Sequence, residues 1–304
     1  MNVRGLSTAA ARIGLPAWFI AVDLLWLAKP DALAIDARHY QRAAGAWLAG
    51  GDPWSVVGDA GGTYASGPHT LLFYAPTNLL PLEVSVVFWM ALGAAASIWL
   101  VRRLELPLWW VLFPPLAHAI WNGNPQTIAL ALLVVGGSIA ASAAVCVKLY
   151  AGLALVLQPR TLVVVGIVLF ITLPLLPWQL YLERGLGVDH HIAAAWQGSA
   201  WRVPILVPPT LLGLWFLRGK GAEWLAVPAV WPATQFYYVA MALPFLVKRP
   251  VLAAAFAAPA PLLVPIAVMA MGGWEVWSRW RRSHGRPTHV ERTPAWLRQL
   301  TDPR

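Results

Sequence analysis

Residues 84–101, VSVVFWMALGAAASIWLV, run for eighteen positions without one charged side chain. A segment of that length and apolarity is about what an α-helix needs to cross the hydrocarbon core of a bilayer. Residues 161–182 and 250–274 are comparably apolar. Backbone groups in lipid must be satisfied within a helix or around a closed barrel, and the strict alternation of barrel strands is absent. The expected fold class is therefore all-α, a polytopic membrane protein built as a transmembrane helical bundle. Composition agrees: 12% of the residues are charged, against about 25% in soluble domains.

Further spans are expected. Helix one should run from about Ile13 to Ala28, retained rather than cleaved because Asp23 lies within it and no small-residue cleavage site stands out. Residues 68–82 are apolar but short and bounded by prolines, which suits a half-helix or re-entrant piece. Spans follow at 84–101, 107–121 and 125–141, then at 143–158, which Lys148 interrupts. The remainder are 161–182, 203–217, 223–247 (one long or two short) and 250–274. This makes about nine to eleven spans in a single transmembrane domain, residues 1–277, followed by a basic cytoplasmic tail, residues 278–304, expected to be poorly ordered.

The net charge of +9 does not read as a nucleic-acid signal. Its cations sit in short clusters between apolar runs: Arg102-Arg103, Arg218 with Lys220, Lys248-Arg249, and Arg279 with Arg281-Arg282. That is the pattern of cytoplasmic loops. With Arg4 and Arg12 also inside, helix one exits and the polar segment 31–67 faces the extracytoplasmic side of a cell membrane. A second polar loop, 183–202, holds Glu183, Asp189, His190, His191 and Arg202. The lone Cys146 rules out an internal disulfide. Most of the 19 Trp residues fit an interfacial belt, and a minority could stack on sugar rings.

No P-loop, HExxH, CxxC or GxSxG motif is present, and the histidines are too scattered for haem or zinc. Polar chemistry concentrates on the outer face instead. Asp36 to Ala49 reads as an amphipathic helix, with Tyr40, Ala43-Ala44, Trp47 and Leu48 at spacings of three and four. Asp36 opens it, beside Arg38, His39 and Arg42, and Gly50-Gly51-Asp52-Pro53 ends it. Asn122, Asn124 and Gln126 mark a helix boundary, and Tyr237-Tyr238 interrupt a late span. A carboxylate near cations at a membrane surface can accept a proton from an attacking hydroxyl while the cations hold a departing phosphate. Asp36 could equally be a helix cap, with Arg38 and Arg42 touching lipid headgroups. Lys148, alone in an apolar stretch, is expensive there and is expected to be functional unless it snorkels to an interface.

The stretch DARHYQRAAGAWLAGGDPW, Asp36–Trp54, resembles the first-loop signature of glycosyltransferase family 87, the membrane mannosyltransferases that use polyprenyl-phosphate sugars. LFYAPTNLLP (72–81), NGNPQTIALALL (122–133) and VKLYAGL (147–153) are similar to later segments of that family in the same order. Gln235-Phe236-Tyr237-Tyr238 is a weaker echo. Ala75 and Leu149 stand where the family has proline, and Pro125-Gln126 departs from its Asn-Gly-Gln pattern.

The resemblance implies a GT-C fold with its active site in the first extracytoplasmic loops. It implies a polyprenyl-phosphate sugar donor, most simply mannose, and a lipid or cell-envelope glycan acceptor. Asp36 would be the general base of an inverting transfer, with Arg38, His39 and Lys148 as candidates to hold the phosphate. Tyr40, Asp52, Tyr74, Asn122, Asn124, Gln126, Tyr237 and Tyr238 would bind substrate. No cofactor is implied, and a divalent metal is left open. Two rival readings are a lipid-linked-sugar flippase or transporter and a non-catalytic family member that scaffolds a cell-wall complex.

Overall fold

A computed structural model describes residues 3–27, 33–59, 63–185 and 198–284. The described residues are mostly helical and hold no strand, only an isolated antiparallel bridge between Val57 and Thr63. The α-helices in chain order begin with α1 (Val3–Leu27), α2 (Ile35–Leu48), α3 (Pro68–Tyr74), α4 (Leu82–Arg103) and α5 (Pro114–Trp121). Next come α6 (Gln126–Val135), α7 (Ser138–Val147), α8 (Pro159–Thr172) and α9 (Trp178–Leu180). The last five are α10 (Val207–Phe216), α11 (Glu223–Val230), α12 (Leu243–Leu246), α13 (Pro250–Phe256) and α14 (Leu263–Ser283).

The all-α expectation holds, but most expected spans are not continuous helices. Among the described residues only α4 is long and apolar enough to cross a membrane by itself. Residues 159–185 would make a second span, broken by a bend of 100°. The breaks have identifiable causes. Gly136 and Gly137, at φ 80 and 79, divide the expected 125–141 span into α6 and the start of α7. Pro174 and Pro177 divide 161–182, Pro232 interrupts 223–247, and Pro259 and Pro261 lie in the gap between α13 and α14. Proline removes a helical hydrogen bond and clashes with the preceding turn. At about 1.5 Å per residue, α6 and α7 are each roughly half a bilayer long. Two boundaries also differ from expectation. Helix one starts at Val3, because Arg4 and Arg12 do not stop a helix, and α14 passes through residue 277 to Ser283. Asp189, His190, His191 and residues 285–304 lie outside the described residues.

Chain direction gives the bundle two ends. Helix α4 begins where Glu83 pairs with Arg38 of α2, and it finishes, about 30 Å on, at Arg102-Arg103. Helix α8 ends where Thr172 meets His69 of α3 and begins beside Arg160. The turn Phe236–Ala242 starts near α2 and continues through α12 to Lys248-Arg249. Helix α14 follows Leu262, whose N–H donates to Gly198, and closes with Arg279, Arg281 and Arg282. Helix α10 runs parallel to α14, and Gly213 and Gly272 let the two backbones touch; a Cβ on Gly272 would lie 2.5 Å from the Gly213 Cα. At the α2 end three cations are matched by acids, in Arg38–Glu83, Arg42–Asp59 and Arg184–Asp52.

Candidate active site

Helix α2 is held at its start by the end of α5. The N–H groups of Ala34 and Asp36 donate to the carbonyls of Trp121 and Asn122 at 2.7 and 2.9 Å, and Ala37 shares the Asn122 carbonyl at 3.3 Å. Groups left over at one helix terminus thus satisfy those left over at the other. Ala34, in a left-handed conformation, occupies the cap position, with no side-chain cap bond. The Asp36 carboxylate is therefore not spent on capping. The turn that makes this docking possible needs Gly123, at φ 66, because a Cβ there would sit 2.6 Å from the Ala37 Cβ.

From that junction a polar network runs into the protein. The Asn124 amide donates to Asp36 Oδ2 at 2.7 Å and lies 3.1 Å from both the Tyr40 and Tyr237 hydroxyls. Its own oxygen is fixed by the backbone N–H of Gln126 at 3.0 Å. Gln126 donates to the Tyr237 carbonyl and accepts from the Tyr150 hydroxyl at 2.9 Å. Lys148 donates to the Tyr40 hydroxyl at 2.6 Å and to Ser66 Oγ at 3.0 Å. It turns inward because α7 stops at Val147: Lys148 takes an extended backbone, and the Val147 carbonyl accepts from Thr70. Lys148 is 3% exposed, so it does not snorkel.

Burial pushes the Asp36 carboxyl above the ordinary carboxylate range. Hydrogen bonds from Asn124 and Tyr237 and the charges of Lys148 and His39 oppose that rise without cancelling it. As a residue Asp36 is half-buried, with protein packed around its carboxylate. The Tyr40 phenol is held well above its usual range, first by burial and then by the nearby Asp36 charge, so it stays protonated beside Lys148. The outcome is a proton acceptor and a buried cation, joined through one phenol and one amide.

Other expected site residues fall around this network. Tyr238 packs on Tyr150 at 4.5 Å and on Tyr237 at 5.1 Å. Tyr74 stacks on Trp89 at 4.4 Å and touches the Tyr40 ring, and its buried hydroxyl has no hydrogen-bond partner among the described residues. His39 bonds the Val56 carbonyl at 2.9 Å. Asn122 works through its backbone, while its side-chain amide meets His118. Arg38 is directed elsewhere, to the Leu33 carbonyl and Glu83. Asp52 accepts from the Trp54 N–H and pairs with Arg184 at 2.5 Å, which shapes the turn after α2. Among the described residues no three His, Cys, Asp or Glu side chains gather as metal ligands.

Reading the sequence picked out Tyr40, Tyr74, Tyr237 and Tyr238 but missed Ser66, Tyr64, Tyr150 and Tyr181 as parts of the site. All seven tyrosines of the chain, 40, 64, 74, 150, 181, 237 and 238, are buried around this site. Tyr150, Tyr181 and Tyr238 line a small open cleft with Ser66, Lys148 and Trp231. The signal was there to be read: tyrosine is scarce beside 19 tryptophans, and five of the seven fall in the stretches that carry the resemblance. No protein-family model, curated protein or solved structure matches this chain. What the site can do must come from its own chemistry.

Proposed function

We propose that this is a multi-pass membrane glycosyltransferase that moves a sugar, most simply mannose, from a polyprenyl-phosphate donor to a lipid or glycan hydroxyl outside the cytoplasm. The observation that carries the reading is convergence. The stretches around Asp36, Tyr74, Asn124 and Lys148, together with Tyr237-Tyr238, are far apart in sequence yet meet in one cluster. Membrane residence is supported by outward rows of large apolar side chains on α4, α8 and α10, such as Val87, Phe170 and Trp215, far beyond what water tolerates as a patch. The outward-facing orientation is supported by the excess of cations at the end away from Asp36.

In the proposed reaction the acceptor oxygen attacks the anomeric carbon and its proton passes to the Asp36 carboxylate. The bond from that carbon to the phosphate oxygen breaks on the opposite face, so the configuration inverts. The electron pair leaves with the polyprenyl phosphate, whose charge Lys148 offsets. A raised Asp36 pKa makes the carboxylate a better proton acceptor than an ordinary one. The test is transfer of radiolabelled sugar from a polyprenyl-phosphate donor by purified protein in proteoliposomes.

A second reading, a transporter of lipid-linked sugars, is favoured by broken helices and by Asp23, which is 7% exposed within α1 with one carboxylate oxygen unpartnered among the described residues. Movement of labelled donor across the bilayer without transfer would select it. Neither movement nor transfer would leave the scaffold.

A further inference from the structure

Lys148 stands on a boundary between two kinds of surface. On one side its ammonium donates to the Tyr40 hydroxyl, which the Asn124 amide also reaches, and Asn124 continues to Asp36 and to the Tyr237 hydroxyl. That side is made of hydrogen-bonding groups: a carboxylate, an amide and two phenols. On the other side Lys148 donates to Ser66 Oγ. There the two residues line the small open cleft with Tyr150, Tyr181, Trp231 and Tyr238. Among the described residues no carboxylate and no side-chain amide lines this cleft. Its walls are rings packed on one another, Tyr150 against Tyr238 at 4.5 Å and against Trp231 at 5.9 Å. The Tyr150 hydroxyl is already given to Gln126.

Tyr181 reaches the cleft on the far limb of the broken span 159–185, past its bend of 100°. Its ring lies 5.4 Å from that of Trp54 and 5.7 Å from that of Trp178. Gly185 makes the packing possible, because a Cβ there would sit 2.3 Å from the Tyr181 ring and 2.7 Å from Trp54 Nε1. The same broken span leaves Phe170, Leu175 and Leu182 exposed. The wall that Tyr181 supplies thus belongs to an element with an apolar exterior, of the kind that meets lipid.

A lipid-linked phosphodiester has one charged centre and two unlike ends, a polyhydroxyl sugar and an apolar isoprenyl chain. Burying sugar hydroxyls among rings that cannot pair with them is costly. Laying the chain on the Asp36 side would instead leave a carboxylate and an amide without water or a partner. We propose that the aromatic cleft takes the isoprenyl end of the donor, its first isoprene unit against Tyr181 and Trp231, so that the sugar points toward Asn124 and Asp36. The proposal rests on the donor class proposed above and adds the direction in which the donor lies and the residues that grip its chain.

The test uses the full chain in mild detergent and a prenyl phosphate with a photoreactive diazirine in its first isoprene unit, the adducts being placed by peptide mass spectrometry. Adducts are expected on the peptides that carry Tyr181 and Trp231. Excess farnesyl phosphate should remove them, and inorganic phosphate at the same concentration should not. Tyr181→Ala with Trp231→Ala should weaken farnesyl phosphate binding by roughly tenfold or more. Tyr181→Phe with Trp231→Phe, which keeps a ring at each position, should regain most of that loss. Phe170→Ala, an exposed ring of the same span outside the cleft lining, should leave the affinity unchanged. Adducts on the peptides of Tyr40 and Asn124 instead would reverse the donor and overturn the proposal. So would undiminished affinity in the double alanine variant, or equal competition by inorganic phosphate, because the chain would then contribute nothing. With transfer of labelled sugar intact, those results overturn the orientation alone. Absence of both competable adducts and transfer overturns the donor class along with it.

Discussion

Lys148 and Asp36 illustrate how a charge survives inside this protein. Tyr40 and Asn124 stand between them and satisfy both. A buried cation without such partners would cost several kcal/mol. Because the Lys148 charge holds the Asp36 pKa down, Lys148→Met should raise it further. The low-pH limb of the transfer rate should then move to higher pH, and the maximal rate should fall roughly a hundredfold or more from loss of leaving-group stabilisation. A pH–rate profile with its low-pH limb unmoved would disconnect the two residues. Lys148 was legible in the sequence because a lone cation in an apolar run is too costly to persist without a partner or a role. Its partner Ser66 was not: a serine in a polar loop carries no sign of what will reach it from 82 residues away.

At the scale of elements, what was legible followed from local chemistry. The amphipathic period of Asp36 to Ala49 and the Gly50-Gly51 stop gave α2 to within a residue at each end. What could not be read was continuity: hydropathy reports whether a segment is apolar, not whether Gly136-Gly137 or Pro174 lets it stay helical. Nor could the sequence show that α5 would cap α2 backbone to backbone, which decides between Asp36 as cap and Asp36 as free carboxylate. That junction makes its own prediction. Gly123→Ala forces a left-handed backbone on a residue with a Cβ, costing about 1–2 kcal/mol, and overlaps Ala37 besides. It should lower Tm by several degrees and, by shifting Asn124, slow transfer more than it weakens donor binding. Unaltered Tm and rate would show that the turn accommodates the extra carbon and that the junction is looser than described.

The whole molecule has a polarity that the isolated sequence implied and chain direction makes concrete. Paired charges and the tyrosine cluster occupy one end, and an excess of cations the other. If the bundle spans a membrane, Val57→Cys, at a position 59% exposed beside the site, should react with an impermeant thiol reagent from outside intact cells. Ser283→Cys should react only after permeabilisation, both in a Cys146→Ala background. The reverse pattern would put Asp36 on the cytoplasmic side and remove the case for a lipid-linked donor.

The central claim is that Asp36 takes the proton, and the direct measurement is sugar transfer by purified Asp36→Asn with stability followed in parallel. The folded-state pKa of Asp36 is raised above its usual 3.8, so its ionised form opposes folding. The stability it contributes is full below that value and is lost as pH climbs through the folded pKa. Asn, uncharged at every pH, should therefore leave the protein at least as stable as the parent at neutral pH. Transfer should nevertheless fall by roughly two to four orders of magnitude, with donor binding little changed. Asp52→Asn, which loosens the turn held by Arg184, should instead lower stability and affect transfer only through folding. A stable Asp36→Asn protein that transfers sugar at close to the parental rate would contradict the account.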